Sequence, residues 1–383
     1  MKKNKSSFWG TLIFSTALLL SPGISGIAQA ETANAATASN AATIANTQSG
    51  IFSQYGEEIN SLNSIKNVSS DSNAPFFTMD YTADYKLDKF MQQGAANTTQ
   101  LISFVGSYIT GFPNIGRTLK LNIPAFGCST FSAATPDGQQ LFGRNFDENS
   151  DSPAMLVRTH PTNGYASISM VDLGFLKYTN QDLPTNKLNS LKTLAVPYTP
   201  LDGMNEKGLT MAVLQLDGSP TNQTDSSKND ITTTSAIRMV LDKADSVDSA
   251  LALLNQYNMH DPSMGEFHYQ ISDASGKSVV VEYINNKMSV VDTNHATNFM
   301  VSPSVFGTGH GQDRYETLSN ELTKSNDTLT DVQAMNLLHE VAQYGKASTK
   351  SWTRWSMIYN KSNGTVNAVI GRDYDTQRTY SIN

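Results

Sequence analysis

The sequence predicts an α+β fold, on three grounds. Short alternating apolar runs bounded by turn residues recur after residue 128, helical spacing falls in separate blocks, and the two never alternate as regular βα units. The chain has 383 residues, enough for one large domain or two ordinary ones. With 39% hydrophobic and 16% charged residues it belongs among globular rather than disordered chains. Lys2, Lys3 and Lys5 lie in the leader, so of 27 basic residues 24 remain against 34 acidic ones, a balance of −10. A nucleic-acid partner calls for the opposite sign.

Taken in order, residues 1–30 join a basic start to an apolar stretch from Trp9 to Leu20, then Ser21-Pro22-Gly23 and Ala28-Gln29-Ala30. That order predicts a secretory signal peptide and a secreted protein without stable membrane insertion. Residues 31–50 are Ala, Thr, Asn and Ser with almost nothing large to bury, and predict a flexible tail. Residues 51–127 precede a second unit expected at 128–383. Leu87, Phe90, Met91, Leu101, Phe104 and Tyr108 predict helix over Lys86–Tyr108, interrupted near Gly94. Arg117–Ile123 reads as a basic strand. Ser129–Ala134 and Gln140–Phe146 predict a hairpin around Pro136-Asp137-Gly138. Further strands are predicted at Leu209–Leu216, Phe267–Ser272, Ser278–Ile284 and Met288–Asp292. Helices are predicted at Thr234–Lys243, at Ser246–Tyr257 with Ser246 as N-cap, and at Asp331–Tyr344 behind a Thr330/Gln333 capping box.

The one cysteine, Cys128, excludes an intramolecular disulfide and any cysteine-rich metal site; no metal or cofactor is expected. A lone thiol in an oxidising compartment points to intermolecular pairing or to a reactive group, with a buried inert cysteine as the alternative. If the turn centres on Asp137, paired residues sum to roughly 274, so Cys128 lies opposite Asn145–Asp147, bracketed by Arg144 and Asp147. A guanidinium favours the thiolate, and a carboxylate can hold an ammonium or orient the arginine. Strict alternation sends residues 144 and 147 to opposite faces, so for both to reach the sulfur the strand must bend, bulge or end near Asn145.

Six histidines leave a Cys/His pair open in principle, but the residues after Cys128 read as a strand rather than the helix start such a pair uses. Breaking the Gly127–Cys128 bond instead creates an α-amino group, whose ordinary pKa of about 7.7–8.0 suits a general base. Gly127 allows close approach to the thiol.

Gly127-Cys128-Ser129-Thr130, Gly143-Arg144-Asn145-Phe146-Asp147 and Asp202-Gly203-Met204-Asn205-Glu206-Lys207-Gly208-Leu209 together resemble the choloylglycine hydrolase superfamily of N-terminal-nucleophile amidases. Ala296-Thr297-Asn298-Phe299 and Gln312-Asp313-Arg314-Tyr315 resemble two further segments of that family, and Trp352–Ile382 its closing strands. The resemblance implies a four-layer αββα sandwich, here with an N-terminal helical pro-segment, and a catalytic domain at 128–383 released by self-cleavage. It implies Cys128 as nucleophile and, through its new amine, as base, with Asp147 binding that amine and Arg144 supporting the thiolate. The Asn298 side chain and the Asn205 backbone N–H would stabilise the oxyanion, and Arg314 would hold the network together. The apolar stretch Ile168–Tyr178, with Met170, Phe175 and Leu176, and the nearby Met204 are candidates for an acyl pocket; core packing explains them as well. The substrate is then a small N-acyl amide such as a conjugated bile salt, penicillin V or an N-acyl amine. An acyltransferase using the same site and a non-enzymatic surface-binding protein are the alternatives, and a homo-oligomer stays open.

Overall fold

Gly94 and Asn97 divide the expected Lys86–Tyr108 helix in two. Gly94, at φ +74°, ends the first piece, and the Asn97 side chain accepts the Gln100 N–H to start the second. These are α2 (Leu87–Gln93) and α3 (Thr98–Tyr108), preceded by α1 (Gly56–Asn63), β1 (Lys66–Asn67) and β2 (Phe76–Tyr81). The computed structural model describes residues 55–69, 71, 73–109, 126–149, 152–263, 265–345 and 352–382. The leader, the tail and the strand expected at Arg117–Ile123 lie outside the described residues.

Downstream come β3 (Phe126–Ala134), β4 (Gln140–Glu148), β5 (Ala154–Thr159), β6 (Ser167–Asp172), the short α4 (Lys187–Ser190), β7 (Asp202–Asn205) and β8 (Thr210–Leu216). They are followed by β9 (Asn229–Thr232), α5 (Thr233–Lys243), α6 (Val247–Leu254), β10 (Tyr257–His260), β11 (Glu266–Ser272), β12 (Ser278–Ile284) and β13 (Lys287–Asp292). The chain closes with β14 (His295–Ala296), β15 (Asn298–Phe299), β16 (Gly309–His310), α7 (Gln312–Ser325), α8 (Asp331–Glu340), β17 (Trp352–Asn360), β18 (Thr365–Ile370) and β19 (Arg378–Ser381). Both expected caps are present: Ser246 accepts the Ser249 N–H, and Thr330 and Gln333 form a reciprocal capping box. The helix expected to reach Tyr257 stops at Leu254, because Tyr257 instead pairs in parallel with Asn229.

Among the described residues, nine strands form one sheet in the order β1-β2-β5-β6-β7-β8-β11-β12-β13, and six form another, β14-β3-β4-β17-β18-β19. Their inner faces share one core that includes Cys128, Phe142, Phe146, Met170, Met204 and Ala212. Trp355 stacks on Phe146 there, with ring centroids 4.2 Å apart. Outside the larger sheet lies α5, admitted by Gly203, where an added Cβ would stand 2.8 Å from the Leu241 side chain. Outside the smaller sheet, Leu318 and Leu322 of α7 and Leu338 of α8 cover Phe131, Ala133 and Leu141 in a second core. Each such side chain contributes about 1.5–3 kcal/mol on burial. The layers are therefore the αββα sandwich expected.

The segment ahead of Cys128 is more than helical. β2 pairs in parallel with β5, from Phe76 opposite Ala154 to Tyr81 opposite Thr159, so it is an inner strand of the larger sheet. Phe90 and Phe104 lie 5.1 and 5.8 Å from the Tyr198 ring, and Tyr85 donates to Asp242 at 2.5 Å. Phe76–Tyr81 escaped the sequence reading because parallel pairing with a strand over seventy residues away leaves no local turn signal.

Candidate active site

The hairpin puts Cys128 opposite Phe146, Gly127 opposite Asp147 and Thr130 opposite Arg144, an uninterrupted register from Phe126 to Ala134. No bulge breaks β4 against β3; the one irregularity lies on the other side of β4, at Thr353/Trp355 of β17. Alternation therefore holds, and the conflict anticipated for residues 144 and 147 is resolved differently. Arg144 shares the inner face with the sulfur, whereas Asp147 projects to the outer face, beside the Gly127–Cys128 backbone.

On the inner face the Cys128 thiol sits 3.7 Å from the Val213 carbonyl, and Arg144 donates to the same carbonyl at 2.8 Å, which brings its positive charge beside the sulfur. Asp202 of β7 holds the guanidinium at 3.3 Å and accepts from Trp355 Nε1 at 3.1 Å and from the Tyr359 hydroxyl. Cys128, Arg144 and Asp202 are all fully buried. Among the described residues, no histidine hydrogen-bonds Cys128, and no group of three or more His, Cys, Asp or Glu is placed to hold a metal ion.

The strand's own backbone meets a second set of groups. β14 pairs with β3 only at Thr130 and Phe131; two residues further on, the Asn298 side chain takes over, its Oδ1 accepting the Cys128 N–H at 2.7 Å. Arg314 donates to the same Oδ1 at 2.8 Å, to Ser129 Oγ at 2.9 Å and to the Cys128 carbonyl. Asn298 Nδ2 donates to the Gln215 carbonyl at 2.8 Å, so the amide's orientation follows from its neighbours. Asp147 lies 3.5 Å from Arg314 and accepts from Thr353 at 2.6 Å, and its Oδ2 would stand 3.2 Å from a Cβ on Gly127. Burial raises the Asp147 carboxyl above its ordinary range against the pull of Arg314 and Thr353.

Burial also pushes the Cys128 thiol up to about 11; Arg144 and Arg314 oppose this and Asp147 adds to it. With the pKa raised, the thiolate is scarce at neutral pH and grows tenfold per pH unit towards 11. Iodoacetamide should therefore label Cys128 of the uncleaved chain far more slowly at pH 7 than at pH 10, read by mass spectrometry; labelling independent of pH would contradict the burial argument.

Asn205 is not part of the site. Its backbone N–H donates to Leu209 O at 3.0 Å, its Oδ1 accepts from Lys207 and Leu209, and its Nδ2 donates to the Leu241 and Ala244 carbonyls at the end of α5. It organises the β7–β8 turn, about 13 Å along β8 from Val213 at the usual strand rise. The correction has a physical reason: Asn before Glu-Lys-Gly is a turn-former, and its donors are consumed there. Met170 and Met204 share Asp202's inward face of the larger sheet through the Met170–Asp202 and Ile168–Met204 pairs. Phe175 is core, and Leu176 lines a small apolar pocket walled by Leu101, Ile102 and Val105 of α3. Sequence reasoning missed Asp202 as the partner of Arg144, although Asp202 stands in a quoted motif, and it missed Thr353, Trp355 and Tyr359, which carry no local signal.

The family model for "linear amide C-N hydrolases, choloylglycine hydrolase family" matches residues 128–327, more than half of the chain. The chain belongs to the choloylglycine hydrolase family. A bile salt hydrolase/transferase of Clostridium perfringens (strain 13 / Type A) is 31% identical over 178 residues, 44% of this chain and 51% of that protein. The chain thus spans about half the length of this curated relative. Two crystal structures of conjugated bile acid hydrolase from Clostridium perfringens, a mutant and a variant, share the choloylglycine hydrolase fold. The first is 19% identical with a TM-score of 0.51, covering 66% of this chain and 92% of that one. The second is 18% identical with a TM-score of 0.50, covering 67% and 92%.

Proposed function

We propose that the protein is a secreted, self-processing amidase that hydrolyses a linear, non-peptide amide through a thioester on Cys128. One observation carries the reading: the sulfur and the backbone N–H of the same residue each face their own polar set, Arg144 on one side, Asn298, Arg314 and Asp147 on the other. Scission at Gly127–Cys128 turns that N–H into an amine beside Asp147. The sulfur then adds to the acyl carbon after giving its proton to the amine, and Asn298 donates to the oxyanion. The C–N bond breaks as the leaving amine takes the proton back, and water releases the acid from the thioester. One oxyanion donor is worth about 3–4 kcal/mol. The family model beginning at Cys128 supports a site that starts there. Secretion rests on the leader, and an apolar acyl group rests on Met170 and Met204, which share the inward face of Asp202.

The test is the intact mass of the mature protein, expected to show a fragment of about 256 residues starting at Cys128, the count from 383 total. Turnover is then measured on taurine and glycine bile conjugates, penicillin V and N-acyl amines. Full activity in a chain uncut at Gly127 overturns the mechanism. A second reading, acyl transfer to an amine, is favoured by the relative's printed name, which pairs hydrolase with transferase; a competing amine in the assay separates the two by product.

A further inference from the structure

The segment that carries Asn298 is held by a buried pair with no part in the chemistry described so far. His268 of β11 and Glu282 of β12 lie one step beyond the Tyr269–Val281 cross-strand pair, both fully buried. His268 Nε2 meets the Thr297 carbonyl at 2.8 Å, the peptide immediately before Asn298. Its Nδ1 lies 3.3 Å from Glu282 Oε1. Glu282 in turn accepts the Val301 N–H at 2.6 Å and the Ser302 N–H at 3.0 Å. The pair therefore grips the chain on both sides of Asn298, at residue 297 and at residues 301–302. Between these grips, Asn298 reaches the Cys128 N–H and Arg314.

From this geometry we infer that His268 and Glu282 are positioning residues for Asn298: they fix the peptide from which its amide reaches Cys128, without touching the reacting atoms. The Thr297 carbonyl accepts only from an N–H, so Nε2 carries hydrogen, and contacts at both ring nitrogens fix the ring plane. Two fully buried polar side chains spent on backbone groups of one short segment are more than packing of β11 on β12 demands, since an apolar pair would pack equally well. The inference rests on the amidase reading only in taking Asn298 as the oxyanion donor.

The test uses full-length His268→Leu and His268→Gln beside wild type, with folding checked by thermal unfolding. A misplacement of about 1 Å lowers rates roughly a hundredfold. His268→Leu should lower kcat on an amide that wild type hydrolyses by that order, while KM and the iodoacetamide rate at Cys128 stay within about twofold. His268→Gln, whose amide reaches the same carbonyl, should recover most of the loss. A folded His268→Leu with wild-type kcat overturns the inference, as does a loss in which kcat, KM and alkylation all move together. If His268→Leu does not fold, Glu282→Gln carries the same kcat test. If wild type hydrolyses no amide, the amidase reading fails on its own, and hydrogen exchange in the uncleaved Cys128→Ala chain reads the clamp instead. Adding Glu282→Gln should there speed exchange of the Val301 and Ser302 amides at least about tenfold, with other protection kept; unchanged exchange overturns it.

Discussion

Replacing Cys128 with Ala should yield a folded chain that stays uncut at Gly127 and turns over no amide. Loss of a nucleophile removes the whole catalytic unit, on the order of 10⁴–10⁶ in kcat. The structural effect is small by comparison. Sγ is one buried atom against the Val213 carbonyl, and its removal costs about 1 kcal/mol. Stability and activity therefore separate cleanly in this variant. Intact mass together with turnover at substrate saturation reads the result; activity above about 1% of wild type would show that another group attacks. Cys128→Ser is the sharper control, since it retains an attacking atom of the wrong nucleophilicity and should cleave slowly.

Asp202→Asn should produce the largest loss of stability. Among the described residues the carboxylate is the one counter-ion paired with Arg144, and it also receives Trp355 Nε1 and the Tyr359 hydroxyl, all at zero exposure. Breaking a buried pair by removing one partner costs about 3–5 kcal/mol, because the remaining charge has no water to turn to. For a folded region of this size that lowers the melting temperature by about 5–8 °C. The thiol should suffer as well: a guanidinium freed from Asp202 leaves the sulfur, and the thiolate loses its cationic neighbour. Thermal unfolding and the pH profile of Cys128 alkylation check both halves. A change in stability below about 1 kcal/mol would show that Arg144 finds another partner.

How much of this was legible in the sequence depends on the range of the interaction. The turn at Asp137 placed Cys128 opposite Asn145–Asp147, and Phe146 within that range is its partner, because a hairpin's geometry is set within about ten residues of its turn. The caps at Ser246 and Thr330 were legible for the same reason. Asp202 was not, since it meets Arg144 and Tyr359 only across the stacked sheets; Thr353 was not, since it meets Asp147 only when β17 pairs with β4 from far along the chain; and nothing local marks an acid or a hydroxyl as someone's partner. Asn205 shows the opposite failure. A family motif drew it towards the chemistry, while its own neighbours, Glu206-Lys207-Gly208, already described a turn. Alternation was legible too: with no bulge in the hairpin, Arg144 stays with the sulfur and Asp147 falls on the opposite face, beside the backbone of Gly127.

The placement of β2 between β1 and β5 has a practical side. Hydrolysis of the Gly127–Cys128 peptide would alter connectivity while leaving every rung between β2 and β5 in place, so a nicked molecule and a gene truncated to start at Cys128 are different objects. The truncated product begins life with β5 as a raw border and with the Tyr198 ring stripped of Phe90 and Phe104. Recombinant production of the folded sheet calls for the residues that form β2, α2 and α3 as well as those from Cys128 onward.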